Sequence, residues 1–339
     1  MSNDQELHVV IGATGGTGSA IVRQLATQGK RVRAVNRTKR AARLDGVEVV
    51  AADATNAQQM RLACQDAAVV YNCVNPPFTQ WAELFPRVMA GVIEGAAAAG
   101  ATLVYADNTW MYGNARQPIT EHTPLDPQGP KGELRVRLTE MLLDAHQSGK
   151  VRATIGRAPE LYGPLVQSLL AANLFRAALT KKTARWPGRL DTPLSILFID
   201  DFARGLIVLG QHPAAAGDIW HIPPAEPITG REFTRMLFEE VGQPPKVGVV
   251  SRRMVQMLGL FWPVAREGAE LMYQFEAPYI VDGSKFQQAF GTYTPTRHRD
   301  GIQSTLEWYR HKLSLEQTER KNAWWREVLR YGETSQIRR

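Results

Sequence analysis

The stretch Gly12-Ala13-Thr14-Gly15-Gly16-Thr17-Gly18 follows the apolar run Leu7-His8-Val9-Val10-Ile11 and leads directly into Ser19-Ala20-Ile21-Val22-Arg23-Gln24-Leu25. A strand that ends in closely spaced glycines and is followed at once by a helix builds an anion site. The first helical N–H groups lack internal partners there, and the helix dipole is positive. Gly12 permits the turn out of the strand, Gly15 removes a Cβ where backbone approaches a diphosphate, and Gly18 lets the helix pack close on the sheet. The loop from Gly12 through Thr14, Gly15, Gly16 and Thr17 to Gly18 is therefore predicted to hold the phosphates of a dinucleotide. The spacing is G-x-x-G-x-x-G, and the strand before it and the helix after it carry the inference.

Outward from that loop, strands and helices alternate. Arg31-Val32-Arg33-Ala34-Val35 reads as a second strand, and the residues beyond it sit over the adenosine ribose in a βαβ unit. An acidic side chain there would hold the ribose 2′-OH, but the chain has Asn36-Arg37-Thr38-Lys39-Arg40. Three cations and no carboxylate favour NADP over NAD, with Arg37 and Arg40 as clamps for the extra phosphate. The competing reading is a solvated basic turn.

A third strand over residues 46–51 ends at Asp53-Ala54, where Asp53 can accept from the adenine amino group or cap the next helix. The continuous apolar run over residues 67–74 reads as a buried parallel strand, and it stops at Asn75-Pro76-Pro77, a turn facing the cofactor. An alanine-rich helix over residues 81–99, a fifth strand over 101–106, a helix from Lys131 and a sixth strand over 151–156 complete the half. The alternation predicts an α/β fold, a doubly wound parallel sheet of the Rossmann type with a smaller C-terminal substrate domain. The expected division is a dinucleotide-binding domain over residues 1–160, to which later segments return, a mainly substrate domain over 161–310 and a helical tail over 311–339.

The chain has 339 residues, 44% hydrophobic and 22% charged, as in an ordinary globular protein with ample core. Cys64 and Cys73 are its only cysteines, which points to a reduced, cytoplasmic setting and excludes a Cys-rich metal site. The apolar stretch over 254–265 is too short to span a bilayer and carries Gln256, Gly259 and Pro263. The formal net charge is +7, of which +4 lies in residues 310–339. Charges of both signs mix there, and Trp324 and Trp325 suggest a docked helix, so neither a nucleic-acid nor a membrane partner is expected. No histidine pair has metal-ligand spacing, so no metal is predicted. His122 falls in a turn, His146 on an exposed helical face and His221 on a strand. Asp200 reads as a helix N-cap, and the Met and Trp residues over 254–272 as apolar lining of the substrate side or core.

Several further stretches carry a family likeness. They are Met111-Tyr112-Gly113 after the fifth strand, Arg157-Ala158-Pro159-Glu160-Leu161-Tyr162-Gly163-Pro164 after the sixth, and Phe198-Ile199-Asp200-Asp201-Phe202-Ala203 before a helix. Gly217-Asp218-Ile219-Trp220-His221-Ile222 and Val281-Asp282, with Phe290-Gly291 and Pro295, extend the likeness over nearly the whole chain. With the glycine loop, these resemble the extended short-chain dehydrogenase/reductases, the superfamily of NAD(P)-dependent epimerases, dehydratases and reductases. The resemblance implies NADP or NAD as cofactor, with Pro159 among its contacts, a small-molecule substrate and a homodimer.

The departure from that family lies in its Tyr-x-x-x-Lys pair, in which the tyrosine moves a proton and the lysine grips the nicotinamide ribose. No tyrosine lies between Tyr112 and Tyr162. Laid on the family pattern, Lys131 takes the tyrosine place and Arg135 the lysine place, while the catalytic Ser or Thr falls on Asn108 with Thr109 beside it. Asn108, Thr109 and Lys131 can donate to a substrate oxygen, and Tyr112 is a further proton donor. Lys131 is expected near phosphates and Arg135, a cationic neighbour that would lower its pKa; the alternative is that both only bind phosphate, ribose or water. The reading is an NADP-dependent oxidoreductase or epimerase-like enzyme acting on a small, partly apolar carbonyl or hydroxyl metabolite. A catalytically silent NADP-binding sensor or scaffold and a non-redox isomerase or lyase are the alternatives.

Overall fold

The computed structural model describes residues 6–38, 44–168, 170–291 and 293–335, and the side chains of residues 171, 172 and 317–335 fall outside the description. Arg40, Trp324 and Trp325 therefore lie outside what can be placed, the two tryptophans by their side chains. The first half runs β1 (Leu7–Ile11), α1 (Gly16–Thr27), β2 (Arg31–Asn36), β3 (Val47–Ala51), α2 (Ala57–Ala63), β4 (Ala67–Asn72), α3 (Trp81–Ala99), β5 (Thr102–Asn108), α4 (Pro130–Gln147) and β6 (Arg152–Ala158). Beyond it come β7 (Glu160–Tyr162), α5 (Ala171–Leu179), β8 (Ala184–Pro187), β9 (Pro193–Leu194), β10 (Ile196–Phe198), α6 (Ile199–Gln211) and β11 (Ile219–His221). The chain ends with β12 (Ile228–Thr229), α7 (Gly230–Glu240), β13 (Val247–Val250), α8 (Arg252–Gly259), α9 (Pro263–Gly268), α10 (Ser284–Phe290) and α11 (His298–Ser335).

Seven strands form one parallel sheet in the order β3-β2-β1-β4-β5-β6-β11, so the doubly wound Rossmann architecture is present and β11 returns to it from late in the chain. Each face carries its own core. On one side Met60, Phe85, Val88, Val92, Leu138 and Leu142 of α2, α3 and α4 pack on Val9, Val70, Leu103 and Ile155. On the other, Ile21 and Leu25 of α1 and Phe202 and Leu206 of α6 continue into the C-terminal aromatic core of Tyr162, Phe175, Trp186 and Phe233. Three two-stranded ribbons, β7 with β10, β9 with β12 and β8 with β13, organise that later part.

The glycine loop is shaped by close approach. Gly12 has φ +82°, and a Cβ there would lie 2.6 Å from the Cys73 carbonyl oxygen; a Cβ at Gly18 would lie 2.3 Å from the Gly12 oxygen. Helix α1 thus sits on the turn after β1, and that turn on the chain leaving β4, at distances only hydrogen allows.

Several local expectations are corrected. Asp200 does not cap α6, whose N-cap position is Phe198; it pairs with Arg23 of α1 at 2.5 Å and ties the two helices together. Asn56, not Asp53, caps α2 by accepting from the Gln59 amide, while the Asp53 carboxylate accepts from the Thr55 amide and hydroxyl. His146 is half-buried and accepts from the Ala153 amide. Of the Met and Trp residues over 254–272, Met254, Met257 and Trp262 point into solvent and line no core, whereas Met272 is buried.

Substituting Gly12→Ala is expected to cost at least about 2 kcal/mol, since it adds left-handed strain to a backbone clash. Urea unfolding of the purified variant measures it.

Candidate active site

The carboxyl ends of β5, β6 and β11 bring three polar side chains into line across the sheet. Asp107 and Arg157 are register partners on β5 and β6, and His221 of β11 is the register partner of Arg157. All three are buried. The Asp107 carboxylate accepts from Arg157 Nε at 3.2 Å and from Arg135 of α4 at 3.3 Å. Arg157 also donates to Thr139 at 2.9 Å and to the Tyr112 hydroxyl at 2.7 Å. His221 Nδ1 lies 3.1 Å from the Asp282 carbonyl and Nε2 2.9 Å from the Tyr112 hydroxyl. Only an Nδ1–H can donate to that carbonyl, which leaves Nε2 to accept from Tyr112. Burial, and then the Arg157 charge, pull the His221 pKa down to about 3, so the ring is neutral across the physiological range.

This network lies buried at the carboxyl ends of the strands. Tyr112 is fully buried, its pKa is raised chiefly by burial, and its hydroxyl is engaged by Arg157 and His221. It is therefore closed to substrate, contrary to its expected part as proton donor. Thr109 is likewise enclosed, with its carbonyl and hydroxyl both accepting from the Tyr279 hydroxyl at 2.7 and 3.1 Å. Asn108 is half-buried, and its side-chain oxygen accepts from the Trp110 amide, leaving the side-chain NH₂ as the donating group.

Lys131 and Arg135 lie one turn apart on α4, but not as two bare cations. Arg135 donates to Tyr105 at 2.7 Å, and its guanidinium lies 4.6 Å from the Trp81 ring centre and 4.5 Å from that of Phe85. Its charge is met by Asp107, while its Nε is buried without a hydrogen-bond partner. The Lys131 ammonium donates to Glu267 at 2.7 Å and to the Phe78 carbonyl at 2.8 Å, over the Phe78 ring at 3.8 Å. Its neighbour is a carboxylate from the segment after α8, where a phosphate and Arg135 were expected.

The residues of the glycine loop suit a diphosphate. Thr14 and Gly15 are exposed, and the amides of Gly16, Thr17 and Gly18 find no acceptor among the described residues. A Cβ at Gly16 would meet the Leu165 carbonyl carbon at 3.3 Å, because the turn over 163–166 leans on the loop. At the end of β2, Asn36 is buried with its side-chain oxygen on the Thr38 amide, and Arg37 is exposed. Ala54 and Pro159 are buried at the rim and Asn75 is exposed.

Three groups escaped the sequence reading. Asp107 and Arg157 each stand near the C-terminal end of a strand of the central sheet, which is a signal that was available. Glu160 is the third. Its residue is half-buried, but Oε1 is enclosed without a partner, and burial raises its pKa to about 7 despite a hydrogen bond from Ser168.

The model of one family, described as NAD dependent epimerase/dehydratase, matches residues 8–222. A curated relative, the uncharacterized protein y4nL of Sinorhizobium fredii (strain NBRC 101917 / NGR234), is 22% identical over 320 residues, 86% of each chain. Among solved structures, MoeE5 in complex with UDP-glucose and NAD is 21% identical with a TM-score of 0.73, over 91% of this chain and 99% of that one. DesIV, a dTDP-glucose 4,6-dehydratase from Streptomyces venezuelae with NAD and TYD bound, is 20% identical with a TM-score of 0.74, over 90% and 97%. Epimerase Mth375 from Methanothermobacter thermautotrophicus is 17% identical with a TM-score of 0.78, over 93% and 95%. At these identities the structures share the fold.

Two outcomes are expected. Asp107→Ala strands two buried guanidinium groups and should cost about 3–5 kcal/mol in chemical denaturation. Glu160 holds its proton more tightly folded than unfolded, so its contribution is complete below about pH 4.5 and is lost as pH rises through about 7. Glu160→Gln should therefore flatten the stability profile in that window and leave the variant more stable than the parent at pH 8, read by thermal unfolding across pH.

Proposed function

The chain belongs to the NAD dependent epimerase/dehydratase family, and we propose that it is an NADP-dependent oxidoreductase of a small, partly apolar carbonyl or hydroxyl metabolite, with Lys131 as proton carrier. The observation that carries this reading is the buried Lys131 ammonium on the first turn of α4, held by the Glu267 carboxylate at 2.7 Å. When bound, the dinucleotide supplies or takes a hydride.

The protein's own groups would do the rest. The amides from Gly16 to Gly18 would hold the diphosphate, and Arg37 the 2′-phosphate, with no carboxylate at the end of β2 to repel it. The free NH₂ of Asn108 would donate to a substrate oxygen and hold it in place. Lys131 would give that oxygen its proton during reduction, and Glu267 would return one from solvent, being the more exposed of the pair. For substrate to enter, Glu267 must yield its place on Lys131. The rings of Phe78, Trp81 and Trp110 beside Lys131 favour a ligand with an apolar part.

A second reading, an NADP-binding protein without catalysis, is favoured by one feature. Thr109, Tyr112 and Arg135 are all buried and bonded to protein groups.

Calorimetry should show NADP bound at least tenfold more tightly than NAD, with the preference lost in Arg37→Ala. In a carbonyl panel followed by nicotinamide absorbance, Lys131→Ala should lower kcat by about 10²-fold or more with dinucleotide affinity unchanged. Failure to bind either dinucleotide overturns the proposal. Tight binding with no turnover selects the silent reading, and product formed without net absorbance change selects an epimerase or lyase.

A further inference from the structure

The hairpin of α8 and α9 turns its apolar side chains outward. Met257 is 68% exposed, Leu260 and Phe261 80%, Trp262 60% and Val264 59%. Exposure is greatest at the turn between the helices, so the apex projects. Gly259 lets the two legs meet closely, since a Cβ there would lie 2.7 Å from the Arg266 Cα. The base is pinned on both sides, by Arg252 on Glu276 and by Glu267 on Lys131. A dense exposed patch of this kind marks an interaction surface.

Charge identifies its partner. Residues 252–266 contain three arginines and no acidic residue. Arg253 and Arg266 are exposed and form no ion pair among the described residues. The acids that follow turn inward, Glu267 and Glu270 onto Lys131 and Glu276 onto Arg252. The outer surface of the hairpin is thus aromatic at its apex and cationic at its flanks. A second copy docked symmetrically would bring the same arginines toward one another. A protein partner would need a groove to receive a convex tip. An anionic bilayer meets both features, because aromatic rings settle at headgroup depth while arginines pair with lipid phosphates.

We propose that the α8–α9 hairpin docks the protein on the surface of an anionic lipid bilayer, with Phe261 and Trp262 entering the headgroup layer and Arg253 and Arg266 binding lipid phosphates. The protein lies on the bilayer and does not cross it; among the described residues no helix is long and apolar enough to span one. The sequence leads one to expect no membrane partner, on the mixed charges of residues 310–339 and the shortness of the apolar stretch; the exposure of this hairpin departs from that expectation.

Flotation of the full chain with vesicles tests this. Equal parts phosphatidylglycerol and phosphatidylcholine should carry the protein upward, and phosphatidylcholine alone should not. Binding should fall at least tenfold in Phe261→Asp/Trp262→Asp, in Arg253→Glu/Arg266→Glu, and in high salt. All four side chains are exposed, so unchanged thermal unfolding would show that the variants fold; Trp262→Ser, a milder change, should lose a smaller share of binding. The proposal is overturned if the parent does not float, or if both double variants float as it does. It is also overturned if sedimentation without lipid shows a dimer that Phe261→Asp/Trp262→Asp makes monomeric.

Discussion

The Asp107 carboxylate, enclosed at the end of β5 and shared by Arg135 and Arg157, governs the middle of this molecule. A buried charge is tolerated only where it is paired and hydrogen-bonded, so this one dictates its surroundings. It pulls Arg157 across from the adjacent strand and Arg135 down from α4. Arg157 in turn orients Tyr112, and Tyr112 meets a neutral His221 on the strand that returns from late in the chain. Two parts of the chain more than a hundred residues apart are thereby locked to one sheet edge.

Around that carboxylate, the glycine loop and the start of α4 are shaped by different demands. Hydrogen at Gly12 and Gly18, where a Cβ would collide with backbone, keeps α1 close enough for its first amides to face outward. These amides remain a fixed source of positive field whatever chemistry follows. On the other side, a buried ammonium at Lys131 brings a need for a counter-charge. Glu267 meets that need from α9, so the base of the α8–α9 hairpin is tied to α4 by one ion pair.

Much of this was legible from spacing alone. The glycine loop, the strand-helix alternation and the lack of a carboxylate after β2 follow from local rules: backbone conformation, period and charge at a position set by the strand before it. The edges of elements shifted by a residue or two, as for β5, which runs on to Asn108 and so includes Asp107. Caps were harder. Asp200 has the residue type of an N-cap, but a guanidinium from α1 competes for its carboxylate and wins.

The sequence by itself determined the doubly wound sheet, the phosphate loop and the loss of the Tyr-x-x-x-Lys pair, because each depends on residues close together in the chain. Only the tertiary structure decided what the substitutes do. Whether Lys131 faces a phosphate or Glu267, whether Tyr112 is open or sealed by His221, and whether the apolar run after Ser251 is core or surface all depend on partners from distant segments. Burial and charge pairing are properties of the assembled neighbourhood, and no local pattern carries them.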